Sequence, residues 1–121
     1  MADSVAMRDL GELKARLREF VAERDWDRFH SPKNLAMALS VEAAELVELF
    51  QWLTEEETAR ADGKLRRRAA EELADVLWYL VRIADRLDID LLAAAEAKLA
   101  ENARKYPVAR VRGQSLKYDE Y

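Results

Sequence analysis

The stretch VLWYLVRIA at residues 76–84 decides the fold of this chain. It lies in a long helix that we predict over residues 64–87, and its apolar side chains surround most of the helix circumference. A helix that is apolar nearly all round is buried on several sides. In a chain of 121 residues this favours burial against a second subunit, and the alternative is the central helix of a monomeric bundle.

The composition around this stretch is that of an all-α protein. Ala, Leu and Glu supply 52 of the 121 residues, whereas Val, Ile and Thr supply only 12. Such a balance favours helices over strands. Residue periodicity and capping signals predict four helices in a four-helix arrangement with short connections: 7–23, 31–52, 64–87, and from Asp88 or Asp90 to Lys105. Thr54 and Glu57 fit a capping box, which predicts a short helical turn over TEEETAR (54–60).

We predict one domain over residues 1–107 and a basic, extended tail over 108–121. The domain ends here because Pro107 disfavours helix at Tyr106. From Arg104 to Lys117 the chain carries five basic residues and no acidic one. Lys117 and Tyr118 would fold over a site in this chain or in a neighbouring subunit, and the alternative for the tail is disorder.

Charge and cysteine content exclude several classes of function. The formal net charge is −4, which argues against nucleic-acid binding by phosphate neutralisation. The chain has no Cys, so disulfides, thiolate metal sites and Cys nucleophiles are excluded. Apolar runs are too short to span a membrane, and the N-terminus lacks the basic start and apolar stretch of a signal peptide. We therefore expect a cytoplasmic protein without a membrane partner.

Two acidic pairs occupy unusual positions. The chain contains five acidic i, i+3 pairs, about the number that chance gives, so position must decide which of them matter. Glu42 and Glu45 lie on or beside the apolar stripe of the second helix. Glu72 and Asp75 lie among apolar residues on the third long helix. Four carboxylates would then point into one space.

Buried, unpaired carboxylates must be paired, protonated or bound to a cation. Four oxygen donors without Cys select a hard ion, Mg²⁺ or Mn²⁺. The alternative is a set of salt bridges from these acids to Arg82, Arg66, Arg67, Arg68 or Lys64. A ferritin-like di-iron site is disfavoured, because it needs Glu-x-x-His on two helices and the chain has one His.

The acidic pairs and their surroundings resemble the MazG-like superfamily of all-α nucleotide pyrophosphohydrolases. Glu42-x-x-Glu45 followed by Glu72-x-x-Asp75 is similar to the E-x-x-E…E-x-x-D signature of that superfamily. The segments FVAERDWDRFHSPKNLAMALSVEAAELVELFQW (20–52), EELADVLWYLV (71–81) and KLAENARKYP (98–107) resemble its dCTP pyrophosphatase branch. The resemblance covers about residues 10–107.

This resemblance implies a reaction, a metal and an assembly. A (deoxy)nucleoside triphosphate would be hydrolysed between its α and β phosphates, giving a monophosphate and pyrophosphate. The four acids would bind Mg²⁺, with Mn²⁺ as the other candidate, and Glu42 or Glu45 would orient or deprotonate the attacking water. The resemblance also implies a MazG-like four-helix bundle assembled as a homotetramer, a dimer of dimers, that removes unwanted nucleotides from the pool.

Candidate substrate-binding residues follow from their chemistry under this hypothesis. Trp26 and Trp52 flank the second helix and would stack on the base, whereas a core position is the alternative for each. His30 would contact the base or sugar, against a structural role beside the helix start. Asn34 would read a cytosine edge, or only occupy the first helical turn.

A second group of residues would meet the phosphates. Lys98, Asn102 and Lys105 recur at i, i+4 and i+7 on one face of the last helix, and Arg104 is a neighbouring option. Charge-assisted hydrogen bonds to phosphate suit such a face, and Tyr79 would donate its hydroxyl there. The alternative is a solvated helix face near a C-terminus, where cations are favoured in any case.

One position departs from the dCTP pyrophosphatase pattern. That branch carries a base-contacting His about nine residues before the tryptophan of its RDW segment, and Leu17 occupies this place here. A leucine cannot hydrogen-bond to a base, so base discrimination would be looser or would use other groups. The alternatives are the same fold acting on dUTP, other NTPs or phosphoribosyl-ATP, or a helical interaction module without activity.

Overall fold

The computed structural model describes residues 6–115 and 119–120, and within them all regular structure is helical. This confirms the all-α prediction. The chain divides into two compact units, Met1–Asp88 and Ile89–Tyr121. The first unit contains α1 (Leu10–Glu23), a 3₁₀ turn (Asp27–Phe29), α2 (Pro32–Glu48), α3 (Glu55–Ala59) and α4 (Gly63–Arg86). The second unit contains α5 (Leu91–Lys105) and α6 (Val108–Val111).

Side-chain caps begin the helices at the places where local chemistry predicts them. The side chains that accept a hydrogen bond from a backbone N–H three residues later are those of Asp9, Ser31, Thr54, Asp62 and Asp90. Glu57 completes the capping box of α3. Two predicted bounds were wrong. The first helix starts at Leu10 rather than at residue 7, because Asp9 caps it, and α2 ends at Glu48 rather than at residue 52, because the next residues form tight turns.

The first unit is built around α4, which packs against α2 and α1. Its buried apolar side chains are Leu17, Val21, Leu35, Val81 and Ala84. The packing of α4 on α2 brings the two helices that carry the acidic pairs face to face. It therefore positions the candidate site.

One side of α4 is only partly covered by the described residues. Leu73, Leu77 and Leu80 follow each other at helical spacing and are 54%, 38% and 38% exposed. The predicted burial of α4 on nearly all sides is therefore not achieved by the described residues of a single chain.

The second unit begins at the helix capped by Asp90, and α5 ends at Lys105, as the position of Pro107 predicts. The tail was predicted to be extended, and this was wrong for its first residues. Pro107 caps a further short helix, Val108–Val111, and its carbonyl accepts hydrogen bonds from Arg110 and Val111. A fixed proline φ ends one helix and also suits the start of the next. Among the described residues, no helix is long and apolar enough to cross a membrane.

Candidate functional site

Three glutamates from two packed helices converge in the first unit. Glu42 and Glu45 are one turn apart on α2, and Glu72 lies on α4. Each offers a carboxylate oxygen, and these oxygens all lie within 4.8 Å of one another. All three side chains are half-buried. The cluster is therefore a concentrated negative site at the contact between the two helices.

Two oxygen atoms in this cluster lack a hydrogen-bond donor. Glu42 Oε2 and Glu72 Oε2 are buried and find no partner among the described residues. Burial raises the pKa of Glu42 from 4.5 to about 7, and the hydrogen bond and charge of Glu45 add to the rise. The pKa of Glu72 is also raised, first by burial and then by Glu45. Like charges this close disfavour full ionisation, and a bound cation would relieve them.

Asp75 and Tyr79 border the cluster on α4. Asp75 is exposed and is not among the three carboxylates that lie within 4.8 Å of one another. Its charge nevertheless contributes to the raised pKa values of Glu42 and Glu72. The pKa of the half-buried Tyr79 hydroxyl is raised by burial and then by Glu42 and Asp75. The structure thus brings together three of the four predicted metal ligands and places the fourth beside them.

The salt-bridge alternative for these acids was wrong where the structure describes it. Within residues 6–115 and 119–120, Arg82 pairs with Asp27 and Asp85 rather than with Glu72 or Asp75. No ion pair within this part of the chain joins the four acids to a lysine or an arginine. No cation of the described residues therefore neutralises the cluster.

The Trp26–His30 segment contains two of the predicted base-binding residues. Trp26 is 43% exposed, and its ring meets Phe20 edge to face at 5.8 Å. His30 is half-buried, and its Nδ1 atom is buried without a partner among the described residues. Burial lowers the pKa of His30, and the charge of Arg82 lowers it further. His30 is thus favoured in its neutral form, which can both donate and accept a hydrogen bond.

Three other predicted positions have distinct environments. Asn34 donates from its side-chain Nδ2 to the Phe29 carbonyl at 3.0 Å, so part of its amide supports the 3₁₀ turn. Trp52 is 85% exposed and is not a core residue. Leu17 is 4% exposed and belongs to the core. Leu17 therefore offers no polar group and little surface to a ligand.

The predicted phosphate-binding face lies on α5, in the second unit. Lys98 and Lys105 both pair with Glu101, at 3.7 Å and 3.0 Å. Asn102 and Arg104 are exposed. The pairing with Glu101 was not expected from the sequence. The predicted roles of Lys98, Asn102 and Lys105 stay predictions, and Lys117 and Tyr118 lie outside the described residues.

A charge network that the sequence reasoning missed runs beside the Trp26–His30 segment. Asp27 accepts from Arg82 at 3.0 Å and from Arg86 at 3.2 Å. Asp85 accepts from Arg18 Nε at 2.7 Å and holds the other side of Arg82. Arg18 holds the pKa of Asp85 below its ordinary value. One signal was available: an arginine inside the apolar run at residues 76–84 needs a buried acid.

The chain is similar to several known proteins. The model of the MazG-like family matches residues 37–120. Human dCTP pyrophosphatase 1 is 50% identical over 104 residues, and the match covers 84% of this chain and 61% of the human protein. The protein of the same name from Bos taurus is 49% identical, with 84% and 62% covered. The chain thus spans about three fifths of the length of these relatives. A crystal structure of a pyrophosphatase from Archaeoglobus fulgidus has a TM-score of 0.77 and 39% identity, covering 85% of this chain and 98% of that one.

Proposed function

We propose that this chain, which belongs to the MazG-like family, hydrolyses a nucleoside triphosphate between its α and β phosphates. Water adds across that phosphoanhydride, and the products are a nucleoside monophosphate and pyrophosphate. The preferred substrate is dCTP or a modified dCTP, because relatives at 49–50% identity bear the name dCTP pyrophosphatase 1. Removal of such nucleotides from the pool is the corresponding role, and the cytoplasmic location stays a prediction.

The observation that carries this proposal is the cluster of three carboxylates with two unpartnered oxygens. Carboxylate oxygens are the ligands that Mg²⁺ and Mn²⁺ prefer, and a divalent cation would satisfy both orphan atoms while removing the repulsion. Glu42, Glu45 and Glu72 would hold the metal, with Asp75 at its border as the fourth ligand. The donor set thus fits a hard divalent ion.

The acids of the cluster and Tyr79 would have different roles in the hydrolysis. Bound Mg²⁺ would neutralise the triphosphate and lower the pKa of a coordinated water. Glu42 or Glu45 would orient that water and accept its proton. The pKa of about 7 for Glu42 belongs to the metal-free cluster, since a cation at the site favours the ionised carboxylate. Tyr79, adjacent to the acids, would donate its hydroxyl to a phosphate oxygen.

Substrate binding would use both exposed tryptophans and several polar groups. Trp26 and Trp52 present aromatic surface on which a base can stack. His30 Nδ1 and the side-chain oxygen of Asn34 would serve as polar contacts to the base or sugar.

On α5, the phosphate contacts would come from Lys98, Asn102 and Lys105. The two lysines would have to exchange Glu101 for phosphate oxygens, which is favoured because a polyphosphate carries more charge than one carboxylate.

We also propose that the protein assembles as a homotetramer, a dimer of dimers. The exposed face of α4 formed by Leu73, Leu77 and Leu80 supports contact with another copy. Apolar side chains in such a row are typical of subunit interfaces.

The test is product analysis with one matched pair of variants. We expect the protein to convert dCTP and Mg²⁺ to dCMP and pyrophosphate, and Glu45→Gln to abolish this with the fold retained. Glu71→Gln is the control, because Glu71 is exposed on α4 and lies next to the cluster in sequence. Activity on dUTP, another NTP or phosphoribosyl-ATP in place of dCTP would keep the reaction and move the specificity. No hydrolysis of any of these would favour a helical interaction module.

A further inference from the structure

The segment that carries Trp26 and His30 is tied to α4 by an acid at its centre. Asp27 opens the 3₁₀ turn Asp27–Phe29, directly after Trp26 and three residues before His30. Its carboxylate accepts from Arg82 Nη2 at 3.0 Å and from Arg86 Nη1 at 3.2 Å. The side chain of Asp27 is 57% exposed, whereas that of Arg82 is only 3% exposed. An exposed acid is thus held by a buried cation.

The cation is fixed because other groups hold it. Arg82 lies in the core of the first unit and also donates to Asp85, whose side chain is 7% exposed. Asp85 is in turn held by Arg18 on α1. A guanidinium surrounded by packed side chains and a second acid has little rotamer freedom left to lose, so it is a rigid anchor.

The same face of α4 carries both this anchor and the acids of the metal cluster. Glu72, Asp75, Tyr79, Arg82 and Arg86 follow at alternating spacings of three and four residues, which places them on one stripe of the helix. Ten residues separate Glu72 from Arg82, or about 15 Å along the helix axis. One rigid helix therefore sets the distance between the metal cluster and the place where Trp26 and His30 are held.

A second tie fixes the far side of the segment. Asn34 on α2 donates to the Phe29 carbonyl at 3.0 Å, and α2 also carries Glu42 and Glu45. The segment is thus attached to both helices that contribute carboxylates. Loops attached in this way keep a ligand contact in register with a distant reacting group.

We propose that Asp27, held by Arg82 and Arg86, is a positioning residue that sets where the nucleoside is bound relative to the acid cluster. The inference rests on the proposed function, in which Trp26 and His30 contact the base. Asp27 acts through these neighbours and through the α4 arginines rather than on the phosphates. Its loss should therefore weaken nucleoside binding and leave the chemical step in place.

The test compares Asp27→Asn with the wild-type protein on its best triphosphate, in Mg²⁺ and well below the unfolding temperature. Asparagine keeps the size of the side chain and removes the charge that holds the two arginines. We expect KM to rise about tenfold while kcat changes less than about threefold, because a misplaced binding contact affects binding before chemistry. The preference for the best base over the second-best should fall in parallel. Asp27→Glu, which retains the carboxylate, should recover most of the loss.

Two controls separate positioning from a purely structural role. Asp25→Asn removes a nearby exposed acid, whose ion pair with Arg28 is 3.3 Å long. Position 25 has a left-handed backbone (φ 53°), which asparagine tolerates. Asp25→Asn should leave KM unchanged. The shift of the unfolding temperature by Mg²⁺ should be the same in Asp27→Asn as in the wild type, because the acid cluster is untouched.

The outcomes distinguish this inference from the proposed function. An unchanged KM and base preference in Asp27→Asn, or the same change in Asp25→Asn, would overturn the positioning role and leave the activity standing. A fall in kcat with KM unchanged would also overturn it. If the wild type hydrolyses none of the triphosphates, the proposed function fails and the positioning role fails with it.

Discussion

Replacing Glu42 by Gln should stabilise the metal-free protein. Glutamine has nearly the same shape and helix propensity as glutamate but carries no charge. In the wild type, the half-buried Glu42 lies within 4.8 Å of two other carboxylates, and its Oε2 atom has no donor among the described residues. The substitution removes a desolvated charge and its repulsion by Glu45 and Glu72. In the absence of a cation, no described group in the cluster stabilises the negative charge of Glu42.

The size of the effect follows from the pKa. Burial and the neighbouring acids raise the pKa of Glu42 from 4.5 to about 7. Full ionisation therefore costs at most about 3.4 kcal/mol of folding free energy at high pH, since one pKa unit corresponds to about 1.36 kcal/mol. Water reaches part of this half-exposed cluster and screens it, so the observable gain should be about 1–2 kcal/mol.

The assay is urea unfolding in EDTA at two pH values. Because the folded pKa of Glu42 lies above its unfolded pKa, the wild type loses stability as pH rises from about 4.5 through 7. At pH 8, Glu42→Gln should be the more stable protein by the 1–2 kcal/mol estimated above. At pH 4.5 the two should nearly coincide. Glu71→Gln, at an exposed position of α4, should show no such pH-dependent gain.

Equal or lower stability of Glu42→Gln at pH 8 in EDTA would refute this reasoning. It would mean that the carboxylate of Glu42 is stabilised in the metal-free protein by donors that the cluster does not contain. Saturating Mg²⁺ should reverse the order of the two proteins. The wild type gains binding free energy there, whereas the variant has lost a ligand.

Predictions at four further places test other parts of the structure. Mg²⁺ at a hundred times its Kd should raise the unfolding free energy of the wild type by about 2.7 kcal/mol, and Glu72→Gln should gain less in the same calorimetric titration. Asp85→Asn should lower stability by about 1–3 kcal/mol in urea unfolding at pH 7, because Arg18 loses its acid and the buried Arg82 loses one of its two. The pKa of Asp85 is depressed, so its stabilising effect should disappear as pH falls below about 4, where an acid titration of ellipticity will show the two proteins converging. Trp52→Ala should leave the unfolding temperature nearly unchanged, since the side chain is 85% exposed, and raise KM about tenfold in steady-state kinetics. Leu35→Ala should cost about 3 kcal/mol in urea unfolding, because Leu35 is 1% exposed in the core.

Helix identity and most helix starts, although not that of the first helix, could be predicted from the sequence because both depend on neighbouring residues. Ser31 before Pro32, and Thr54 with Glu57, act within one turn of the chain, and the structure places each where local chemistry predicts. Helix ends were harder to predict. No residue near position 49 breaks the helix by itself, and tight turns with carbonyls of the preceding turn end α2 at Glu48. Pro107 ended α5 as predicted, but the same residue also begins α6.

The acid cluster could be anticipated because an acid on an apolar stripe is visible in the sequence. The ion-pair partners of Arg82 could not be anticipated. Arg82 has Asp85 three residues after it and Asp75 seven residues before it on its own helix, and sequence spacing does not decide between them. The packing of the Trp26–His30 segment on α4 decides, because it brings Asp27 to within 3.0 Å of Arg82 across 55 residues of chain. Such a pairing is a tertiary event without a local signature.

The acid cluster and Arg82 lie on one face of α4 and differ in how their charges are neutralised. Arg82 is buried, and two acids neutralise it, so that end of α4 is fixed by the chain itself. Glu72 is half-buried and faces two further carboxylates, so the other end lacks a counter-charge among the described residues. A protein that needed only stability would neutralise both ends in the same way. Under the proposed function, a bound divalent cation would supply the positive charge at the Glu72 end, and that end of the helix would stay available for it after folding.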